Sequence, residues 1–278
     1  MVVVKKQQDS RKPRRRASKG ILSKIQAIGN IETTAKLNVY GRSGTGKTTF
    51  ACTFPKPLLL IGAEDGTKSV ANVKGVDFVR LENSDDLEVL TKHAAKGHYK
   101  TVVLDSATFL QNIILKELLG LPKTPVQLSW GLATRAQYGQ IAVIMKEHLR
   151  ALLELDCQTV IIAQERVFNV DNEESPSSLS LPYVASALSP SVVGWLNPAC
   201  DYIVQTYIRQ KSKLVKTKVG DAVVQSVKLL AGVDYCLRTG PNSTYATKFR
   251  LPKGTKLPEC VVNPSYSKIA KLMKGGSL

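Results

Sequence analysis

The nonapeptide GRSGTGKTT constrains this sequence more than any other stretch, because it fits the pattern G-x-x-x-x-G-K-[ST]. A strand-like run at residues 36–40, KLNVY, precedes it, and a helical pattern follows it. In that context glycines let backbone N–H groups curl around phosphate oxygens, and the following helix adds the positive end of its dipole. The motif therefore predicts a phosphate-binding loop with these residues: Gly41, Arg42, Ser43, Gly44, Thr45, Gly46, Lys47, Thr48 and Thr49.

Two residues of the loop and one downstream acid are expected to hold a magnesium nucleotide. The motif assigns Lys47 to the β- and γ-phosphates and the Thr48 hydroxyl to Mg²⁺. Asp105 ends the apolar run TVVLD and is the expected second magnesium contact, usually through water. A helix N-cap is the alternative role for Asp105, and the two roles are compatible. The chain contains no [NT]KxD guanine-reading motif, so ATP is the expected nucleotide.

The position after Asp105 raises the question of which residue activates water. Many ATP-hydrolysing P-loop proteins have a glutamate there, whereas this chain has Ser106. Glu64 follows the apolar run PLLLIG, and ligands of open α/β sheets bind beyond the carboxyl ends of the strands. Glu64 is therefore the predicted general base. The alternative is a solvent-exposed turn acid, since EDG is ordinary turn chemistry.

Strand-like and helical patterns alternate along the chain, which predicts an α/β fold with a doubly wound, mostly parallel sheet. A structureless polar insertion is expected at 165–190, and a hairpin turning at Gly220-Asp221 and a last strand at 243–252 are expected to form an antiparallel C-terminal extension. The predicted organisation is a basic flexible arm, an ATPase core and a C-terminal tail with a short helix, at 1–30, 31–255 and 256–278.

Composition narrows the class of protein. Of the 278 residues 43% are hydrophobic, enough for one sizeable α/β core, yet no stretch is long and apolar enough to span a membrane. The N-terminus has no secretion signal. The five cysteines are scattered without CxxC spacing, which suits reduced thiols and supports neither zinc nor disulfides. A cytoplasmic protein that is not secreted is expected.

The formal charge of +17 is concentrated near the N-terminus. Residues 1–24, which contain the basic segment Lys5–Lys24, have nine basic residues and one acidic residue, a net +8. A basic arm on a basic body predicts a polyanionic partner, most often nucleic acid. The alternatives are a solvated tail and a localisation signal.

Together these motifs resemble the RecA/RadA superfamily of P-loop ATPases. The resemblance is strongest to compact phage-encoded RecA-core proteins that include Sak-type single-strand annealing ATPases, in the segments FPKPLLLIGAEDGTKS, YKTVVLDSAT and SPSVVGWLNPACDYIVQTYI. It covers roughly residues 35–252. In that superfamily the catalytic glutamate lies at the tip of the strand after the phosphate-loop helix, and Glu64 matches that position.

The resemblance also implies roles for three further residues. Gln164 matches a polar sensor of the γ-phosphate, with a strand-end glutamine as the alternative. Lys248 and Arg250, two residues apart, match trans-acting fingers that reach a neighbouring subunit's nucleotide, which implies a homo-oligomer with interfacial ATP. Two solvated strand cations are the alternative.

Single-stranded DNA is the partner that the resemblance implies, through the arm and loops near 119–136 and 165–190. The first loop offers Lys123, Arg135 and Trp130, whose ring could stack on a base. The alternative for Trp130 is a packing residue at the start of a helix. The second loop is locally acidic, which shifts the expected DNA contact toward the arm.

The predicted function is a Mg²⁺-ATP-dependent ATPase acting on single-stranded DNA in phage-type recombination, annealing or replication, in the host cytoplasm if phage-encoded. A DNA-independent ATP switch that remodels protein partners is the first alternative. A nucleotide or small-molecule kinase is the second, in which Glu64 would contact an acceptor hydroxyl.

Overall fold

The computed structural model describes residues 34–64, 66–120, 133–169, 182–219, 222–252 and 254–278. The predicted arm at 1–30 lies outside these ranges, as do Asp65, the turn at Gly220-Asp221 and the middle of both predicted DNA loops. Residues 34–278 form one compact unit. No helix in the described ranges is long and apolar enough to cross a membrane.

Strands and helices alternate through the first two thirds of the chain. The strands are β1 (Lys36–Gly41), β2 (Leu58–Gly62), β3 (Val76–Arg80), β4 (Thr101–Asp105), β5 (Gln158–Ala163), β6 (Glu165–Asn169), β7 (Pro182–Ser186), β8 (Tyr202–Val219), β9 (Ala222–Arg238), β10 (Lys248–Phe249) and β11 (Cys260–Val262). The helices are α1 (Lys47–Ala51), α2 (Asp85–Ala94), α3 (Ala107–Leu118), α4 (Arg135–Leu153), α5 (Pro190–Ala199) and α6 (Tyr266–Met273), with one 3₁₀ turn at Thr67–Val70.

In the described part of the chain nine strands form the main sheet, in the order β11-β9-β8-β1-β5-β4-β2-β3, with β10 paired to β8. The six strands from β8 to β3 are parallel, and β9, β10 and β11 add antiparallel pairs. The predicted fold class is therefore confirmed: an α/β fold with a mostly parallel sheet and antiparallel C-terminal strands. Because β5 lies between β1 and β4, the ends of β1, β5, β4 and β2 are consecutive along one edge.

Helices cover both faces of the sheet because the central strands are apolar on both sides. Alternate residues of a strand point to opposite faces. In β2, Leu59 and Ile61 therefore join the core beneath α2, α3, α4 and α5. Leu58 and Leu60 join the core on the other face, beneath α1 and α6. Two hydrophobic cores thus hold the sheet and its edge in place.

The structure corrects two expectations about the second half of the chain. The described ends of the polar segment 165–190 are not structureless, because β6 and β7 pair as antiparallel strands, with Val184 and Ala185 buried. The predicted strand at 243–252 is only β10, because the residues before it form turns around Asn242. Residues 256–278, the predicted tail with a short helix, contain α6, which packs on the core of the main sheet, and also β11, which pairs with β9.

Candidate nucleotide-binding site

The phosphate loop connects β1 to α1 at the carboxyl edge of the sheet. Gly44 and Gly46 adopt φ angles of 78° and 84°, a left-handed conformation that glycine reaches without strain. Gly41 packs on β8 so closely that a Cβ there would lie 2.3 Å from Thr206 Oγ1. The sequence folds this way because glycine occurs where the turn needs it.

A cavity of about 650 Å³ opens over this loop. Its walls include seven of the nine predicted loop residues, from Ser43 to Thr49, together with three other predicted site residues, Glu64, Asp105 and Gln164. Gly41 lies beneath the cavity against β8, and Arg42 points away to form an ion pair of 2.8 Å with Glu165 on β6. The topology thus brings together motif residues that are more than a hundred positions apart.

Lys47 places its ammonium group at the centre of the cavity floor. Its Nζ donates hydrogen bonds to the carbonyl oxygens of Gly41 and Arg42, at 2.8 and 2.7 Å, and to Gln164 Oε1 at 3.2 Å. Burial lowers the pKa of Lys47, while the nearby carboxylates of Asp105 and Glu64 oppose this shift. A half-desolvated ammonium in a cavity favours an anionic ligand.

Thr48 and Asp105 form a pair of oxygen ligands beside Lys47. Thr48 Oγ1 donates a hydrogen bond to Asp105 Oδ2 at 2.5 Å. Burial raises the pKa of Asp105, and the Thr48 hydrogen bond and the Lys47 charge act in the opposite direction. Hydroxyl and carboxylate oxygens suit Mg²⁺, which commonly takes one or two protein ligands plus substrate phosphates. The donor set therefore fits the predicted magnesium ion.

Glu64 follows β2 and lies beside Asp105, because β2 and β4 are paired at Gly62 and Asp105. Ser106 Oγ donates a long hydrogen bond of 3.5 Å to Glu64 Oε1. Burial raises the pKa of Glu64, and the neighbouring Asp105 charge raises it further. A carboxylate with a raised pKa at the cavity wall is chemically suited to accept a proton from water.

Gln164 follows β5 and links the phosphate loop to the β6–β7 hairpin. Its side-chain oxygen accepts a hydrogen bond from Lys47. Its backbone carbonyl oxygen accepts one at 2.7 Å from the N–H of Ala187, just after β7. Its own N–H donates to Thr108 Oγ1 on α3. The neighbouring Glu165 contacts Arg42 and also accepts from Gln205 Nε2 at 3.0 Å. Two consecutive residues therefore connect loop and hairpin.

Lys248 and Arg250 do not reach this cavity within one chain. Lys248 Nζ donates to three carbonyl oxygens at the end of α5, those of Asn197, Pro198 and Cys200. Arg250 forms an ion pair with Asp201 at 2.7 Å. Both cations therefore satisfy acceptors at the carboxyl end of a helix, a position that cations favour.

The cavity also has a wall that the sequence did not indicate. This wall is formed by Tyr235 on β9 and by Asn263 and Pro264 after β11. A Cβ at Gly46 would lie 3.3 Å from the Tyr235 ring, and Asn263 N donates to Tyr235 O at 2.7 Å. These residues carry no motif. The only sequence signal is Asn263 before a proline, a turn signature that does not specify a site.

The fold and the site together define a P-loop nucleotide-binding protein. The sequence matches the AAA domain family AAA_24 over residues 33–251, and the chain belongs to that family. No curated protein matches it. Among solved structures it resembles the KaiC-like protein PH0186 from Pyrococcus horikoshii OT3, with 15% identity and a TM-score of 0.35, covering 83% of this chain and 89% of that chain.

Proposed function

We propose that this protein is a Mg²⁺-dependent ATPase that acts on single-stranded DNA, of the compact phage type that includes Sak-type annealing ATPases. The observation that carries hydrolysis is the place of Glu64 in the same cavity as Lys47 and Asp105. A phosphate-binding loop alone would support nucleotide binding. A carboxylate with a raised pKa at its side supports turnover.

In the proposed reaction, the Glu64 carboxylate accepts a proton from a water molecule. The water oxygen forms a bond to the γ-phosphorus as the bond to the β–γ bridging oxygen breaks, giving ADP and phosphate. Ser106 holds Glu64 through its hydroxyl. Mg²⁺, held by Thr48 and Asp105, supplies charge neutralisation at the phosphates when bound.

Two further residues act on the phosphates in this proposal. Lys47 has three acceptors, two loop carbonyls and Gln164, and exchanges some of them for phosphate oxygens. Gln164 then loses its hydrogen bond from Lys47 when a γ-phosphate is present and keeps it when none is present. Because Gln164 O also accepts from Ala187 N, the hairpin β6–β7 is directly connected to that change.

Tyr235 and Pro264 supply apolar contacts to the nucleoside part of ATP. They line the cavity beside the loop, with the Tyr235 ring next to Gly46, and we infer that the base of a nucleotide held by its phosphates reaches them. The Tyr235 side chain is 44% exposed, so its ring face has room for a stacking partner. Asn263 fixes this wall through its hydrogen bond to the Tyr235 carbonyl oxygen.

Lys248 and Arg250 complete a neighbouring subunit's site in an assembled form with interfacial ATP. In one chain both cations are engaged at the end of α5, so this role requires them to leave those acceptors on assembly. DNA as the partner is supported by the net charge of +17 and by the basic segment Lys5–Lys24. The loops near 119–136 and 165–190 are the further proposed contacts.

ATP turnover with and without single-stranded DNA tests this function. The wild-type chain is expected to release phosphate and to do so faster with DNA. Glu64→Gln keeps Mg²⁺-ATP binding and loses about 10²-fold or more in turnover, the scale of a lost general base. Asp65→Asn is the matched control and stays active. An inactive Asp65→Asn beside an active Glu64→Gln would place the base one residue further along.

The same assay separates the alternative functions. Turnover that responds to a protein partner and not to DNA would indicate a remodelling ATPase. Transfer of the γ-phosphate to a hydroxyl acceptor, with little release of free phosphate, would indicate a kinase.

A further inference from the structure

The strands β8 and β9 continue far beyond the rest of the sheet as a two-stranded ribbon. β8 pairs with β1 only up to Thr206, and β9 pairs with β11 only from Cys236 onward. Past these points, among the residues that the structure describes, the two strands pair only with each other. We name residues 208–214 and 225–235 the β8–β9 ribbon. Apart from Asp234, its residues are exposed.

The cross-strand register separates the ribbon into two chemically different faces. Residues directly opposite each other share a face, and side chains alternate between faces along a strand. One face has no charged residue and consists of six exposed apolar side chains with polar Gln and Ser between them: Ile208, Leu214, Val227, Leu229, Val233 and Tyr235.

The opposite face is basic. It contains Arg209, Lys211, Lys213 and Lys228, with Asp234 as its acid, a net charge of +3. Asp234 lies 3.6 Å from Arg209 and so accounts for one cation. Within the described part of the chain, none of the other three ammonium groups forms an ion pair. Three uncompensated lysines remain.

Two of these lysines are directly opposite each other. Lys213 and Lys228 are cross-strand partners in the register. Like charges in that arrangement are destabilising, and a two-stranded ribbon is only marginally stable in water by itself. An anion between the two ammonium groups would remove this repulsion. The ribbon therefore places its cations where a bound anion stabilises it.

The cations are also spaced as a row. Arg209, Lys211 and Lys213 alternate along β8, so they are about 6.6 Å apart from one to the next. Successive phosphates of an extended single strand are separated by a comparable distance. A β-bulge at Gln210/Ser212 places Gly232 opposite Lys211. If residue 232 had a Cβ, that atom would lie 3.8 Å from the Cδ of Lys211. The glycine leaves the Lys211 side chain room to lie along the face.

We propose that the basic face of the β8–β9 ribbon binds the phosphate backbone of single-stranded DNA. The choice of partner rests on the proposed function, whereas the row of cations is a property of this chain. Binding is independent of base sequence, because lysine–phosphate contacts carry no sequence information. The ribbon thus provides a DNA contact distinct from the N-terminal segment.

The position of the ribbon connects this contact to ATP turnover. Tyr235 is at the root of the ribbon and lines the nucleotide cavity against Gly46. DNA that orders the ribbon therefore also orders one wall of the nucleotide site. DNA-stimulated turnover is expected to depend on the ribbon lysines, whereas turnover without DNA is expected to be independent of them.

The test compares two triple variants of the full chain. Lys211→Gln/Lys213→Gln/Lys228→Gln removes the uncompensated cations of the ribbon. The control variant is Lys74→Gln/Lys96→Gln/Lys100→Gln, which removes the same charge from exposed positions at the opposite edge of the sheet. Lys74 precedes β3, Lys96 follows α2 and Lys100 precedes β4. Fluorescence anisotropy with oligo(dT) and oligo(dA) measures affinity from low to moderate salt, and circular dichroism confirms that both variants fold.

The ribbon variant is expected to bind both oligonucleotides more weakly and to lower the log–log salt slope by about 2, since each neutralised phosphate contributes about 0.7 on single strands. The control changes the slope by less than one such contact. Equal slopes for wild-type protein and ribbon variant would overturn the ribbon contact while leaving DNA binding in place. No DNA binding by the wild-type chain would overturn both proposals. If the three lysines were needed for binding to anionic lipid vesicles but not for binding to DNA, the ribbon would be assigned to membranes instead.

Discussion

Ser106 Oγ donates its hydrogen bond to Glu64 Oε1 across the tips of two neighbouring strands, at 3.5 Å. Ser106 occupies the position where many P-loop ATPases have the water-activating glutamate, and in this chain it contacts Glu64, the proposed general base. The contact exists because β2 and β4 are adjacent in the sheet. In the proposed mechanism the two residues divide one task between a proton acceptor, Glu64, and a positioning hydroxyl, that of Ser106.

The first prediction follows from this contact. The Ser106 hydrogen bond lowers the pKa of Glu64, against the larger effect of burial that raises it. Turnover should therefore fall on acidification with a midpoint above 4.5, the ordinary glutamate value. Ser106→Ala removes the opposing hydrogen bond and should move this midpoint to higher pH. Ser69→Ala changes a serine of the same cavity that hydrogen-bonds Gly66 O instead, and should leave the profile unchanged. Equal profiles for Ser106→Ala and wild-type protein would rule out the positioning role.

The second prediction concerns Lys47. Its ammonium is the cation at the cavity floor, so Lys47→Ala should bind no ATP at concentrations that saturate the wild-type protein. Isothermal titration calorimetry measures this, with circular dichroism to show that the variant folds. Lys68→Ala, an exposed lysine of the nearby 3₁₀ turn, is the control and should bind normally. Near-wild-type affinity in folded Lys47→Ala would contradict the site.

The third prediction is a gain of stability with loss of function at Asp105. Burial raises the folded-state pKa of Asp105, so the native state holds this proton more tightly than the unfolded chain does. Stability from this group is therefore present at low pH and is lost as pH rises above 3.8 and through the folded-state pKa. At neutral pH, Asp105→Asn should have a free energy of unfolding about 0.5–2 kcal/mol larger than that of the wild-type protein, and hence a higher unfolding temperature. It should nevertheless turn over no ATP.

Thermal unfolding at several pH values checks this third prediction. The stability gain of Asp105→Asn should shrink as the pH approaches 3.8. Asp156→Asn, an exposed aspartate before β5, should match the wild-type protein throughout. A destabilised Asp105→Asn would mean that its Thr48 contact outweighs the cost of burying the charge.

The fourth prediction tests the cavity wall that contains Tyr235. Tyr235→Ala should weaken ATP binding about tenfold, the value of one aromatic contact, and should leave inorganic tripolyphosphate binding unchanged. Tyr235→Phe keeps the ring and should bind both ligands as the wild-type protein does. Calorimetry with the two ligands separates the nucleoside from the phosphates. An equal loss for both would show that Tyr235 supports the loop and not the base.

The fifth prediction concerns the N-terminal segment. Removing residues 1–24 deletes a net +8 of the +17 charge. If this segment lies along phosphates, truncation should weaken binding to all single strands and flatten the salt slope by several units. Basal turnover without DNA should stay nearly constant. An unchanged slope would leave the segment as a solvated tail or a localisation signal.

Local sequence was sufficient to predict the phosphate loop and the four central strands. The loop motif, the buried runs and the acid at the tip of β4 each depend on residues that are adjacent in the chain. The position of Glu64 in the cavity was predictable because ligands of open α/β sheets bind beyond the carboxyl ends of the strands. The strand order, which brings these tips together, was implied only by the resemblance and the alternation of elements.

The parts that the sequence missed depend on distant contacts. Tyr235 and Pro264 reach the cavity because β9 and β11 extend the sheet past β8, and no local pattern encodes that order. The hairpin β6–β7 is polar in sequence, yet Val184 N donates to Thr244 O and Val184 O accepts from Ala246 N. Such pairing across sixty residues overrides a local preference for an irregular segment.

The central place of β1 has a consequence for the order in which the chain can fold. Lys36 contacts Thr159 and Asp201, which follow it by 123 and 165 residues. During synthesis the first strand therefore waits, with both of its edges unpaired, until β5 and then β8 have emerged. Contacts of this separation slow folding and leave apolar strands exposed in partial chains. The phosphate loop, although formed from nine consecutive residues, acquires its support only when most of the protein has been made.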